Sequence, residues 1–96
     1  MLFRSRSENL RRAIACYENA LRVYTETEFP YEWASTQHNL GIALAYLADE
    51  TGDARLLDSV RACFEAAARG FEAAGLHGQA AHARQILKQL ESIDGS

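Results

Sequence analysis

The residues with the greatest chemical range in this 96-residue chain are three histidines, His38, His77 and His82, and two cysteines, Cys16 and Cys63. Two histidines on one helix face could hold a metal, but that takes i, i+4 spacing, and His77 and His82 stand five apart. No HExxH or ExxH pair and no glycine-rich phosphate loop occurs. The cysteines lie 47 positions apart with no CxxC and no ligand-like spacing. A cysteine beside a histidine could in principle form a nucleophile. Both cysteines fall at equivalent places in an internal repeat described below, which favours a packing role as reduced, semi-buried thiols. Nothing converges on a reacting centre. The expectation is a chain that is not an enzyme, with no catalytic residue, cofactor or metal.

Arg4, Arg6, Arg11 and Arg12 crowd the N-terminal end. A solvated helix start is the plain reading, and a docking patch for an acidic partner the alternative. The same helix carries Glu8 and Glu18, an acidic turn spans Asp49 to Asp53, and the net charge is −3, so no broad nucleic-acid footprint is expected. Apolar residues make up 48% and charged residues 24%, ordinary for a globular protein. No apolar run approaches the roughly 20 residues of a membrane span. Met1-Leu2-Phe3-Arg4 lacks the apolar stretch of a signal peptide. A cytoplasmic location is expected.

The elements that would position these residues are helices. Only one proline, Pro30, interrupts the chain, and alanine, the best helix former, is abundant. Apolar residues recur at steps of three and four in four segments, at about 7–26, 30–49, 53–74 and 77–93. The first carries Leu10, Ala13, Ile14, Tyr17, Ala20, Leu21 and Tyr24, with Ser5-x-x-Glu8 as a capping box. Pro30 suits the first turn of the second. Asp53 is placed to cap the third, and Gly75 to end it. The loops are short, so consecutive helices should pack antiparallel. The expected fold is all-α, one domain over 1–96.

Laid over itself, the chain repeats. At a shift of 47, Leu10 meets Leu57, and Ala15-Cys16-Tyr17-Glu18 meets Ala62-Cys63-Phe64-Glu65. Ala20, Arg22 and Tyr24 meet Ala67, Arg69 and Phe71. At a shift of 46 the second helix meets the fourth: Ala34 with Ala80, Leu40 with Ile86, Leu44 with Leu90. The chain is two copies of a helix pair.

Gln37-x-x-Leu40-Gly41-x-x-Leu44, followed by Val60-x-x-x-Phe64 and Ala67, resembles the tetratricopeptide repeat, TPR, with its W-x-x-L-G-x-x-Y and A-x-x-x-F helices. The stretch from Ala20-Leu21-x-x-Tyr24 through Pro30-x-x-Trp33-Ala34 to Asn39-Leu40-Gly41-x-Ala43 resembles the long-helix bacterial and kinesin-light-chain variant. The likeness covers about residues 9 to 91. Two positions depart from it: Leu87 stands where Gly41 would repeat and Gln79 where Trp33 would. Both suit a terminal cap helix.

The resemblance implies an α-solenoid of helical hairpins that binds a protein or peptide on a concave face lined by the first helices of the pairs. Those positions are Ser35, His38, Ile42, Ala45 and Tyr46, then Ala81, Arg84, Lys88 and Glu91. His38, Arg84 and Lys88 would make the groove mildly basic and suited to an acidic peptide. The clamp that grips chaperone tails needs Lys and Asn where His38 and Ile42 stand, so that ligand is not expected. The array begins on a second-type helix, out of the usual phase, and two repeats are fewer than the three such arrays usually need. Something is expected to cover the first helix: a second copy, a partner, or further sequence of a longer protein. The alternative function is therefore structural self-assembly as a symmetric homodimer through Phe3, Leu10, Cys16 and Val23.

Overall fold

The computed structural model describes residues 5–95, with side chains through residue 92. Four helices follow one another: α1 (Arg6–Val23), α2 (Pro30–Thr51), α3 (Leu56–Ala73) and α4 (His77–Gly95), with no strand among the described residues. The fold is all-α, as its sequence periodicity predicts.

Local chemistry sets the ends. The Ser5 hydroxyl accepts the Glu8 N–H at 3.0 Å, so α1 starts directly behind its cap. It stops at Val23, short of the expected 26. There Tyr24 turns extended, and the Thr25 hydroxyl accepts the Glu28 N–H at 3.2 Å, offering the backbone a turn in place of a helix. The start of α3 moves the other way. The Asp53 carboxylate accepts the Arg55 N–H at 3.0 Å and also binds the Arg55 guanidinium. It therefore closes a turn, and α3 begins at Leu56, two residues later than an Asp53 cap would give. Gly75 does end α3. At a φ of 78° it lets Leu76 N–H reach Phe71 O and Gly75 N–H reach Glu72 O, the two bonds of a Schellman motif.

Each helix packs on the next. Positions in contact across α2 and α3 run in opposite directions: Gly41 lies against Cys63 and Phe64, Gly70 against Trp33 and Ala34. The hairpin is therefore antiparallel. Arg6 at the start of α1 meets Glu50 near the end of α2 at 3.7 Å, so that pair is antiparallel too. One apolar cluster joins Ile14 of α1 to Leu40, Ala43 and Leu47 of α2 and Cys63 of α3. A second joins Ala34 to Ala67, Ala68 and Phe71 of α3 and Ala80 and Ala83 of α4. Alanine dominates the second, which brings those backbones close.

The result is a flat stack, 45 × 36 × 18 Å, with a radius of gyration of 13.9 Å. A compact domain of this length would have about 12.5 Å. The excess fits helices added side by side. Among the described residues, no helix is long and apolar enough to cross a membrane.

The repeat equivalence does not extend to burial. Cys63 is buried, whereas its counterpart Cys16 is exposed, against the expectation of two semi-buried thiols. α3 has α2 on that side, whereas no helix among the described residues covers that side of α1.

Candidate protein-binding site

A cleft of about 430 Å³ lies on the α2–α4 side. Helical spacing puts Tyr31, Ser35 and His38 of α2 on one edge, with Asn39 beside them. Gly78, Gln79 and His82, in the first two turns of α4, form the opposite edge. Phe71 of α3 closes the space between them, and the Tyr31 ring tilts against it at 6.4 Å.

His38 is the most constrained polar group. Its ring meets Phe64 edge-on at 5.3 Å, Phe71 at 6.3 Å and the His82 ring at 5.9 Å. Its Nδ1 is enclosed and has no hydrogen-bond partner among the described residues. An imidazolium needs acceptors for both nitrogens, so this environment favours the neutral ring. Burial, then the nearby His82 charge, hold the His38 pKa below its ordinary 6.5. The unfolded chain therefore binds more protons than the folded one between the depressed pKa and 6.5. Stability due to His38 is fully present above 6.5 and declines as pH falls, levelling off below the folded pKa. His38→Gln is expected to flatten this decline, measured as the urea midpoint at about pH 8 and about pH 5.

The structure divides the positions named from the sequence. Ser35 and His38 line the cleft together. Ile42 and Tyr46 continue along α2 and are exposed, and the Arg6 guanidinium lies 5.5 Å from the Tyr46 ring. Arg84 and Lys88 are not in the cleft. With Ala81 and Gln85 they line a surface built from α4 alone. Arg84 also donates to Glu72 at 3.0 Å, while the His77 ring meets the other Glu72 oxygen at 2.7 Å. Those hydrogen bonds, Arg84's first, hold the Glu72 carboxyl below the usual range and tie α4 to the end of α3.

This cleft is thus distinct from the basic groove read from the spacing: apart from the Tyr31 phenol, the ionisable groups lining it are two histidines. The reason is translational. Equivalent positions on stacked helices point the same way, so His38 faces α4 while its counterpart Arg84 faces away from α2. The groups that meet across the cleft are non-equivalent, His38 with His82. Tyr31, Phe71, Gln79 and His82 were not among the binding-face candidates read from the sequence, because the repeat shift carries His38 to Arg84 and not to the opposite flank of α4, where His82 lies.

Of the residues assigned to an assembly surface, Cys16 and Val23 are exposed, Val23 to 65%. Leu10 is half-buried and packs inward on the cluster around Leu40 and Leu47. Phe3 lies outside the described residues. Among the described residues, no group of three or more His, Cys, Asp or Glu side chains is placed to hold a metal.

Comparison with protein-family models, with curated proteins and with solved structures finds no match to this chain.

Proposed function

We propose that the chain is a tetratricopeptide-type interaction module that holds a peptide segment of a partner protein in the α2–α4 cleft. The observation that carries this reading is the cleft's make-up. Its aromatic floor and wall, Phe71 and Tyr31, would take an apolar or aromatic side chain, and Ser35, Asn39 and Gln79 offer hydrogen bonds to peptide backbone. The internal repeat supports the family assignment, as does the close approach of Gly41 to Phe64. In this reading the protein is a non-catalytic cytoplasmic adaptor that needs no cofactor and acts on neither nucleic acid nor membrane.

A peptide library displayed on phage and selected against the full chain tests it. Selected peptides are expected to bind Tyr31→Ala and His82→Glu at least about tenfold more weakly, a loss of about 1.4 kcal/mol, and Lys88→Glu unchanged. Tyr31, His82 and Lys88 are exposed, so the fold should tolerate all three changes. Equal binding to all of them would rule the cleft out. A second reading, self-assembly through α1, is favoured by the exposure of Val23 and Cys16.

A further inference from the structure

The cleft between α2 and α4 holds two of the chain's three histidines and, among the described residues, no carboxylate. His38 belongs to the α2 wall and His82 to the α4 wall, and their rings stand 5.9 Å apart. The His38 ring is wedged edge-on against Phe64 and against Phe71, the residue that floors the cleft. No hydrogen bond joins either imidazole to another described residue. The third histidine differs in this respect, since the His77 ring meets a Glu72 oxygen at 2.7 Å. A charge on His38 or His82 therefore has nothing to balance it. Around His38 lie Tyr31 of its own helix, Phe64 and Phe71 of α3, and His82 of α4. Of these, only His82 can be charged near neutral pH, and its charge has the same sign. One turn from His82 on α4 stand Gly78, Gln79, Gln85 and Ile86, none of them charged. Arg84 and Lys88 line a separate surface, and Glu72 is held by Arg84 and His77.

We propose that His38 and His82 act as a pH gate on the cleft, which holds an apolar or aromatic anchor of the partner at neutral pH and releases it in mild acid. This rests on the reading of the cleft as a peptide site and adds its regulation. A ligand side chain seated on Phe71 takes water from both rings and gives them no counter-charge, so it favours the neutral imidazoles. Burial, then the His82 charge, already hold His38 below its ordinary 6.5 in the free chain, and the ligand acts in the same direction. The sign follows by linkage. Well above the ordinary histidine range both rings are neutral in the free and the bound chain, and affinity has its full value. As pH falls, the free chain gains protons that the complex excludes, so binding must release them and affinity declines. The gate also defines the partner: its anchoring segment carries no acidic residue. A carboxylate between the two rings would draw protons in and reverse the sign.

The test is isothermal titration calorimetry of the full chain with a phage-selected peptide made without Asp, Glu or His and capped at both ends, so that only the protein titrates. Kd is expected to rise at least about tenfold from about pH 7.5 to about pH 5.5, with about one proton released per peptide near pH 6, read from buffers of different ionisation enthalpy. His82→Gln, at an exposed position, and His38→Gln should each reduce that ratio whatever their affinity at the higher pH, and the double change should abolish it. His77→Gln, outside the cleft, should keep it in full. A Kd that holds steady or falls toward acid, while Tyr31→Ala still weakens binding, would overturn the gate and leave the cleft reading standing. A ratio that survives the double change would do the same. A peptide indifferent to Tyr31→Ala as well would take away both. Loss of the helical circular dichroism at the lower pH would also overturn the gate, because release would then be unfolding of the chain and not a change at the cleft.

Discussion

Truncating Phe64 to alanine is expected to lower the unfolding free energy by about 3–5 kcal/mol. The side chain is only 2% exposed and sits where the two halves of the chain join. Its ring stands 3.0 Å from where a side chain on Gly41 would begin, and it meets the His38 ring edge-on. α2 can lie so close because position 41 has no Cβ, and Phe64 fills the space that this approach leaves. Removing the ring leaves a cavity that two helix backbones would have to close together. A chain of this length has roughly 5–14 kcal/mol of stability, so the loss is a large share. The urea midpoint should fall steeply with little change in slope. Because Phe64 also supports His38, binding in the cleft should weaken even where the variant remains folded. Ile42→Ala, on the exposed face of the same hairpin, should shift stability by no more than about 0.5 kcal/mol.

Gly70→Ala should also destabilise, although alanine is the better helix former by about 1 kcal/mol. The new methyl would stand 2.8 Å from Ala34 Cβ and 2.9 Å from Trp33 Cε3. Carbon pairs prefer about 3.5–4.0 Å. Trp33 could swing aside, but the Ala34 methyl is fixed to its backbone, so α2 and α3 would have to separate. Overpacking of this kind costs about 1–3 kcal/mol. A melting temperature lower by roughly 5–15 °C is expected, read by thermal circular dichroism. Gly78→Ala is the matched control. Nothing lies within 4 Å of its added Cβ, so the helix preference should show as no loss or a gain of up to about 1 kcal/mol.

These positions also show how far the chain's chemistry can be read before its structure is seen. The four helices follow from apolar spacing, and Gly41 and Phe64 stand at the glycine and aromatic positions of the pattern that the sequence resembles. The ends of α1 and α3 do not, because side chains of Thr25 and Asp53 compete with helix for the same backbone groups. Half of the cleft was legible, since Ser35 and His38 sit on a face that spacing identifies. The α4 half was not: carrying positions across by equivalence selects Arg84 and Lys88, whereas a wall facing α2 needs the opposite flank, where His82 lies. Leu10 shows the same limit in reverse. Its stripe is apolar whether it meets another copy or α2, and only the packing of α2 decides that it turns inward.

The cleft between α2 and α4 is the surface proposed to hold the partner peptide. Its most direct test is an NMR titration of the isotope-labelled full chain with a selected peptide. Shift changes are expected to concentrate at Tyr31, Ser35, His38, Asn39, Gln79 and His82, with the His38 ring resonances among the most affected. Changes centred on Arg84, Gln85 and Lys88, or along α1, with the cleft residues unmoved, would contradict it.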